Sequence, residues 1–62
     1  MTIDIDKLNK LAYANEERLR NARYEVETIK GCYNIRETLA KIAKENGFVR
    51  LFDNSFKKPI SN

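Results

Sequence analysis

Catalysis needs side chains that ligate, attack or shuttle protons, and this chain of 62 residues is poor in them, with one cysteine and no histidine. Cys32 lies four residues before Arg36, whose charge would favour a thiolate. A nucleophile also needs a base and a group to orient that base, and neither is close in sequence. Cys32 therefore reads as a small buried or semi-exposed residue. The carboxylates come in neighbouring pairs, Glu16 with Glu17 and Glu25 with Glu27, which fits a solvated helix face better than two acids held in different environments. Metal binding needs clustered imidazoles, thiolates or carboxylates, and phosphate cradles need a glycine-rich loop. The sequence has neither pattern. It points to a non-enzymatic protein with no catalytic residue, metal, cofactor or small-molecule substrate.

What remains is chemistry of recognition. Tyr13 and Tyr24 are eleven residues apart, three turns of a continuous helix, with Glu17 and Arg20 between them. Tyrosine and arginine together make common interface anchors, so Tyr13, Glu17, Arg20 and Tyr24 are the expected partner-binding residues. A second set is basic. Residues 1–30 carry six basic and six acidic side chains, whereas residues 31–62 carry six basic and three acidic, so the whole net charge of +3 lies in the second half. Lys41, Lys44, Arg50, Lys57 and Lys58 are the candidates for contacting nucleic-acid phosphates.

The elements that must position these groups are helical. From residue 4 to 30 there is no Gly or Pro, and apolar or small residues recur in alternating steps of three and four. Ile5, Ala12, Leu19 and Val26 take one heptad position; Leu8, Asn15, Ala22 and Ile29 take the other, with Leu11 on the flank. The expected seam of the hairpin or dimer is thus Leu8, Leu11, Asn15, Leu19, Val26 and Ile29. Asn15 in that seam is expected either to pair with its equivalent across a dimer axis or to mark a solvated bend. Asp4 or Asp6 can accept from the free amides at the start, and Gly31 offers a left-handed residue at the end. Asn34 with Glu37 resembles a capping box for a second helix over about 35–46, closed by Asn46, Gly47 and Phe48 in a Schellman arrangement. A link of only Gly31, Cys32 and Tyr33 forces an antiparallel hairpin.

The tail, residues 48–62, is ambiguous between a short third helix and an extended or irregular segment. Asp53, Asn54 and Ser55 favour a turn, and Lys58 before Pro59 favours extended backbone. The stretch LAKIAKENGF, residues 39–48, resembles the first helix and turn of helix-turn-helix DNA-binding proteins, with Ala43 and Gly47 at the motif's spacing. The resemblance covers about a sixth of the chain directly, and a third with the residues that follow. It departs from the motif where no Ser or Thr follows Gly47 and where Asp53 stands at an apolar position.

The sequence reading is therefore a single all-α domain over residues 1–62, an antiparallel hairpin of a long helix (4–30) and a short one (35–46). The short helix covers under half of the long one, so a dimer or a protein partner is expected to complete the seam. The leading function is that of a small adaptor, inhibitor or regulator, of the size that phages and plasmids encode, which docks a helix face on a larger macromolecule. The alternative is a dimeric DNA-binding regulator with a degenerate helix-turn-helix. No apolar run approaches the roughly 18 residues of a membrane span. With the lone thiol this implies no membrane association and a cytoplasmic location.

Overall fold

Asp4 opens the first helix, its side chain accepting from the Asp6 backbone N–H at 3.0 Å. This is the capping geometry its position implies. The computed structural model describes residues 3–60. Helix α1 (Ile5–Ala22) and helix α2 (Val26–Glu45) pair side by side, and strands β1 (Val49–Arg50) and β2 (Phe56–Lys57) follow.

The turn between the helices lies at residues 23–25, not at Gly31–Tyr33, so the expected helices over 4–30 and 35–46 are both corrected. Arg23 adopts φ 51°, and the Glu25 N–H donates to the Ala22 carbonyl at 2.9 Å. The physical reason is the matching of lengths. Helices of 18 and 20 residues cover each other along their whole length, which a break at Gly31 would not allow. Asn34 and Glu37 consequently form no capping box. They lie inside α2, where the Asn34 carbonyl accepts from the Thr38 hydroxyl. Glu25 instead holds the N-cap position of α2 without a side-chain cap bond, and Glu25 and Glu27 place negative charge at the helix's positive end.

Gly31 thus sits in the interior of α2, with nothing within 4 Å of the place a Cβ would take. A mid-helix glycine in open space costs conformational entropy without any packing return. Gly31→Ala is expected to stabilise the fold by about 0.5–1 kcal/mol. The change would be read as a higher urea midpoint at unchanged slope, and a lower midpoint would contradict the placement of Gly31.

The end of α2 follows the expected pattern. Gly47 takes φ 77°, the Phe48 N–H donates to the Ala43 carbonyl at 2.8 Å, and the Gly47 N–H donates to Lys44 at 3.1 Å. These are the two bonds of a Schellman motif, and they turn Phe48 back onto the core. Asn46 also holds the start of the chain, accepting from the Ile3 N–H through its side chain.

The tail is a β-hairpin, so neither a short third helix nor the second helix of a helix-turn-helix follows Gly47 among the described residues. Val49 pairs with Lys57 and Arg50 with Phe56. The turn is closed by the Asn54 N–H on the Leu51 carbonyl, with Asn54 at φ 67°, a conformation Asn tolerates. The Asp53 carboxylate accepts from both the N–H and the hydroxyl of Ser55. Phe56 is carried into the core with Leu8, Ala12, Leu39 and Ala43, and Ile3, Ile5, Ile42 and Phe48 pack around them. The Asn9 side chain brackets Phe56, donating to its carbonyl at 2.9 Å and accepting from its N–H at 2.7 Å.

Candidate interaction surfaces

At the centre of the helical pair, Glu16 on α1 meets Arg36 on α2. The guanidinium donates to both carboxylate oxygens, at 2.9 and 2.6 Å, the bidentate fork that arginine makes best. Asn54 from the hairpin turn donates to the same carboxylate at 3.3 Å. All three parts of the fold therefore meet on one side chain. The Arg36 hydrogen bond, with its charge, holds Glu16 below the usual carboxylate range, and Glu16 in turn raises Arg36. Arg36 also lies 5.1 Å from the centre of the Tyr33 ring. These contacts give the site a structural brace rather than a reactive pair. Cys32 is buried, and it is its backbone carbonyl that makes a polar contact, accepting from the Asn15 side chain at 2.8 Å. Among the described residues no group of three or more His, Cys, Asp or Glu is placed to hold a metal ion.

The expected seam residues divide. Leu8 and Asn15 are buried against α2, and Leu19 and Ile29 are half-buried. Leu11 and Val26 are 46% and 59% exposed, outside the seam. Val26 leaves it because it starts α2 instead of continuing α1. The Asn15 side chain donates to the Cys32 carbonyl of α2, and α1 shows no break there, so the expected solvated bend is absent. Helix α2 packs along α1 over the buried part of this seam.

Tyr13, Glu17 and Arg20 stand exposed along α1. Tyr24 is 93% exposed but belongs to the turn, so it does not share a helix face with Tyr13; the three-turn spacing would hold only in an unbroken helix. Lys41 and Lys44 are exposed on α2, and Arg50, Lys57 and Lys58 on the tail. Directly paired residues share a face of a ladder. Arg50 therefore lies on the Phe56 face and Lys57 on the other, so the tail's basic residues do not form a single row.

Two surfaces were not legible beforehand. Phe52, at the tip of the hairpin, is fully exposed while Phe48 and Phe56 turn inward. On the helical pair, Leu11, Ala14, Asn15, Arg18, Ile35 and Leu39 line an open groove of about 190 Å³. Leu11 and Ile35 contribute exposed apolar surface to it.

The arrangement defines the class as a two-helix antiparallel pair with a β-hairpin folded against one side. No protein-family model, curated protein or solved structure matches the chain at a significant level. No helix among the described residues is long and apolar enough to cross a membrane.

Proposed function

We propose that this chain is a small non-enzymatic interaction module, an adaptor, inhibitor or regulator that docks a helix face on a larger protein or on a second copy of itself. The observation that supports this most directly is the row Tyr13, Glu17 and Arg20 on α1. It is exposed, and none of the three makes a side-chain hydrogen bond among the described residues. Aromatic and arginine side chains left free on a rigid helix can anchor an interface without first breaking internal contacts. Tyr24 extends the surface at the turn. A lone buried thiol suits the reducing cytoplasm, where we place this activity.

The test is affinity capture from the source cell, read by mass spectrometry. A partner retained by the native chain and lost with Tyr13→Ala plus Arg20→Ala, at an unchanged melting temperature, is the expected result. Equal capture by both chains would reject this face.

The second reading is a DNA-binding regulator. Its support is the exposure of Lys41, Lys44, Arg50, Lys57 and Lys58, all in the half that carries the net charge. It requires retention on duplex DNA at about 150 mM salt, where phosphate contacts are already strongly screened, and loss of that retention in Lys57→Glu with Lys58→Glu. Flow-through of the native chain would eliminate it.

A further inference from the structure

Of the three phenylalanines, Phe52 is the one the core does not take. Phe48 packs around the core and Phe56 lies within it, while Phe52 holds its whole ring in solvent at the hairpin tip. The turn does not depend on that ring. It is closed by the Asn54 N–H on the Leu51 carbonyl, the Leu51 N–H on the Ser55 carbonyl and the Asp53 carboxylate on Ser55. Nor is Phe52 an isolated apolar residue, since Val49 and Leu51 beside it are also exposed. An apolar cluster that the fold leaves outside marks a place where something else binds.

The groups around the ring indicate what binds. Arg50, Leu51, Phe52 and Asn54 line an open concavity of about 280 Å³. The Arg50 side chain is exposed and forms no ion pair among the described residues. The acid of the turn, Asp53, directs its carboxylate at the N–H and hydroxyl of Ser55. Beside the tip, Asn54 donates to Glu16, Glu16 holds Arg36, and the Arg36 guanidinium lies 5.1 Å from the centre of the Tyr33 ring. That ring is half exposed. Two accessible rings thus flank one brace, with an unpaired guanidinium next to the first and Lys57 and Lys58 exposed where the hairpin returns.

We infer that this hairpin binds single-stranded nucleic acid, with one base stacked on Phe52, another on Tyr33, and phosphates on Arg50, Lys57 and Lys58. Aromatic rings that take base faces, beside cations that take the backbone, are the two components of single-strand binding. Several observations favour a strand over other occupants. A duplex keeps its bases stacked on each other, and a protruding phenylalanine gains a base face there only by unstacking a step. Arg50 and Lys57 lie on opposite faces of the ladder, an arrangement that a flexible strand can wind around and a straight duplex backbone cannot follow. An apolar pocket of a protein that took Phe52 would also desolvate Arg50, a cost that a phosphate offsets by pairing with it. Tyr33 sits back on α2, where a flat lipid surface touching the tip does not reach.

Single-strand binding does not rest on either reading above, and its test is separable from theirs. Fluorescence anisotropy of a labelled oligothymidylate of about 12 nucleotides, titrated with the full chain in about 50 mM salt, is expected to give a roughly micromolar dissociation constant. A duplex of equal length should bind at least about tenfold more weakly. Phe52→Ala is expected to weaken single-strand binding about tenfold, and Phe52→Ala with Tyr33→Ala about 100-fold, at an unchanged melting temperature for the exposed Phe52. Phe52→Ala should leave the salt dependence as it is, whereas Arg50→Gln should reduce the slope of log K against log salt by about 0.7. Phe52→Trp, which introduces the chain's only tryptophan, is expected to retain binding and to lose emission as the base stacks. Ile60→Ala, an equally apolar change at an exposed residue away from the tip, should have no effect. Absence of oligonucleotide binding up to about 200 µM chain overturns the inference, and so does a Phe52→Ala loss of less than about threefold. Equal or tighter binding of the duplex also overturns it, in favour of the duplex reading. Binding to phosphatidylserine–phosphatidylcholine vesicles that requires Phe52, with none to the oligonucleotide, overturns it in favour of a lipid surface.

Discussion

Phe56→Ala is expected to unlatch the hairpin while leaving the two helices paired. Phe56 is 4% exposed and is the one residue of β1 or β2 in the buried cluster with Leu8, Ala12, Leu39 and Ala43. Truncating a buried phenylalanine to alanine costs about 3–5 kcal/mol. A two-stranded hairpin without that anchor is marginal in water. The helices, by contrast, keep the Glu16–Arg36 fork and the Asn15–Cys32 bond. The expected signature is loss of amide-exchange protection at Leu51 and Asn54, both hydrogen-bonded in the hairpin, with most of the helical circular dichroism retained. Retained protection at Leu51 would show that the strand pairing holds without its anchor.

Leu8→Ala should do the opposite and unfold the chain as a whole. Leu8 is fully buried and lies where α1, α2 and the hairpin converge. Leucine-to-alanine changes at such sites cost about 2.7–5 kcal/mol. A domain of this size has a total stability of roughly 3–9 kcal/mol, so the variant is expected to be substantially unfolded near 37 °C, with helical and hairpin signals lost together. A loss below about 1 kcal/mol in urea titration would contradict the burial of Leu8.

The two results would separate a shared core from a docked accessory, and that distinction also explains what the sequence discloses. Features made by neighbouring residues were legible. Asp4 as a cap and Asn46–Gly47–Phe48 as a helix end depend on bonds spanning a few residues, and the structure has both. The break between helices was not, because Arg23 enters the left-handed region without a glycine or proline to mark it. The apolar spacing also runs on past it, through Val26 and Ile29 to Cys32, Ile35, Leu39 and Ala43. Its trace is three consecutive steps of three, at Val26, Ile29, Cys32 and Ile35, where a single stripe would alternate. Gly31 drew the turn to itself because glycine is a common helix terminator, although here it lies in the middle of α2.

The surfaces were legible only in part for the same reason. Exposure of Tyr13, Glu17 and Arg20 follows from the period of α1 alone. The groove does not, since Ile35 and Leu39 reach Leu11 and Ala14 only after the turn at Arg23 brings α2 back. Nor do the partners of Asn9, Asn15 and Glu16, which lie 47, 17 and 20 residues away.

The bracketing of Phe56 by Asn9 has a consequence for how this small chain stays out of aggregates. Leu51 donates to Ser55, so in the alternation of an antiparallel ladder the next pair, Arg50 with Phe56, points its N–H and C=O groups outward. On β2 those outward groups would form a free sheet edge, a template onto which another extended segment could add. A single carboxamide from α1 fills both positions at Phe56, acting as a one-residue third strand that cannot be extended. Asn9 thus both fastens the hairpin and closes its edge to further pairing.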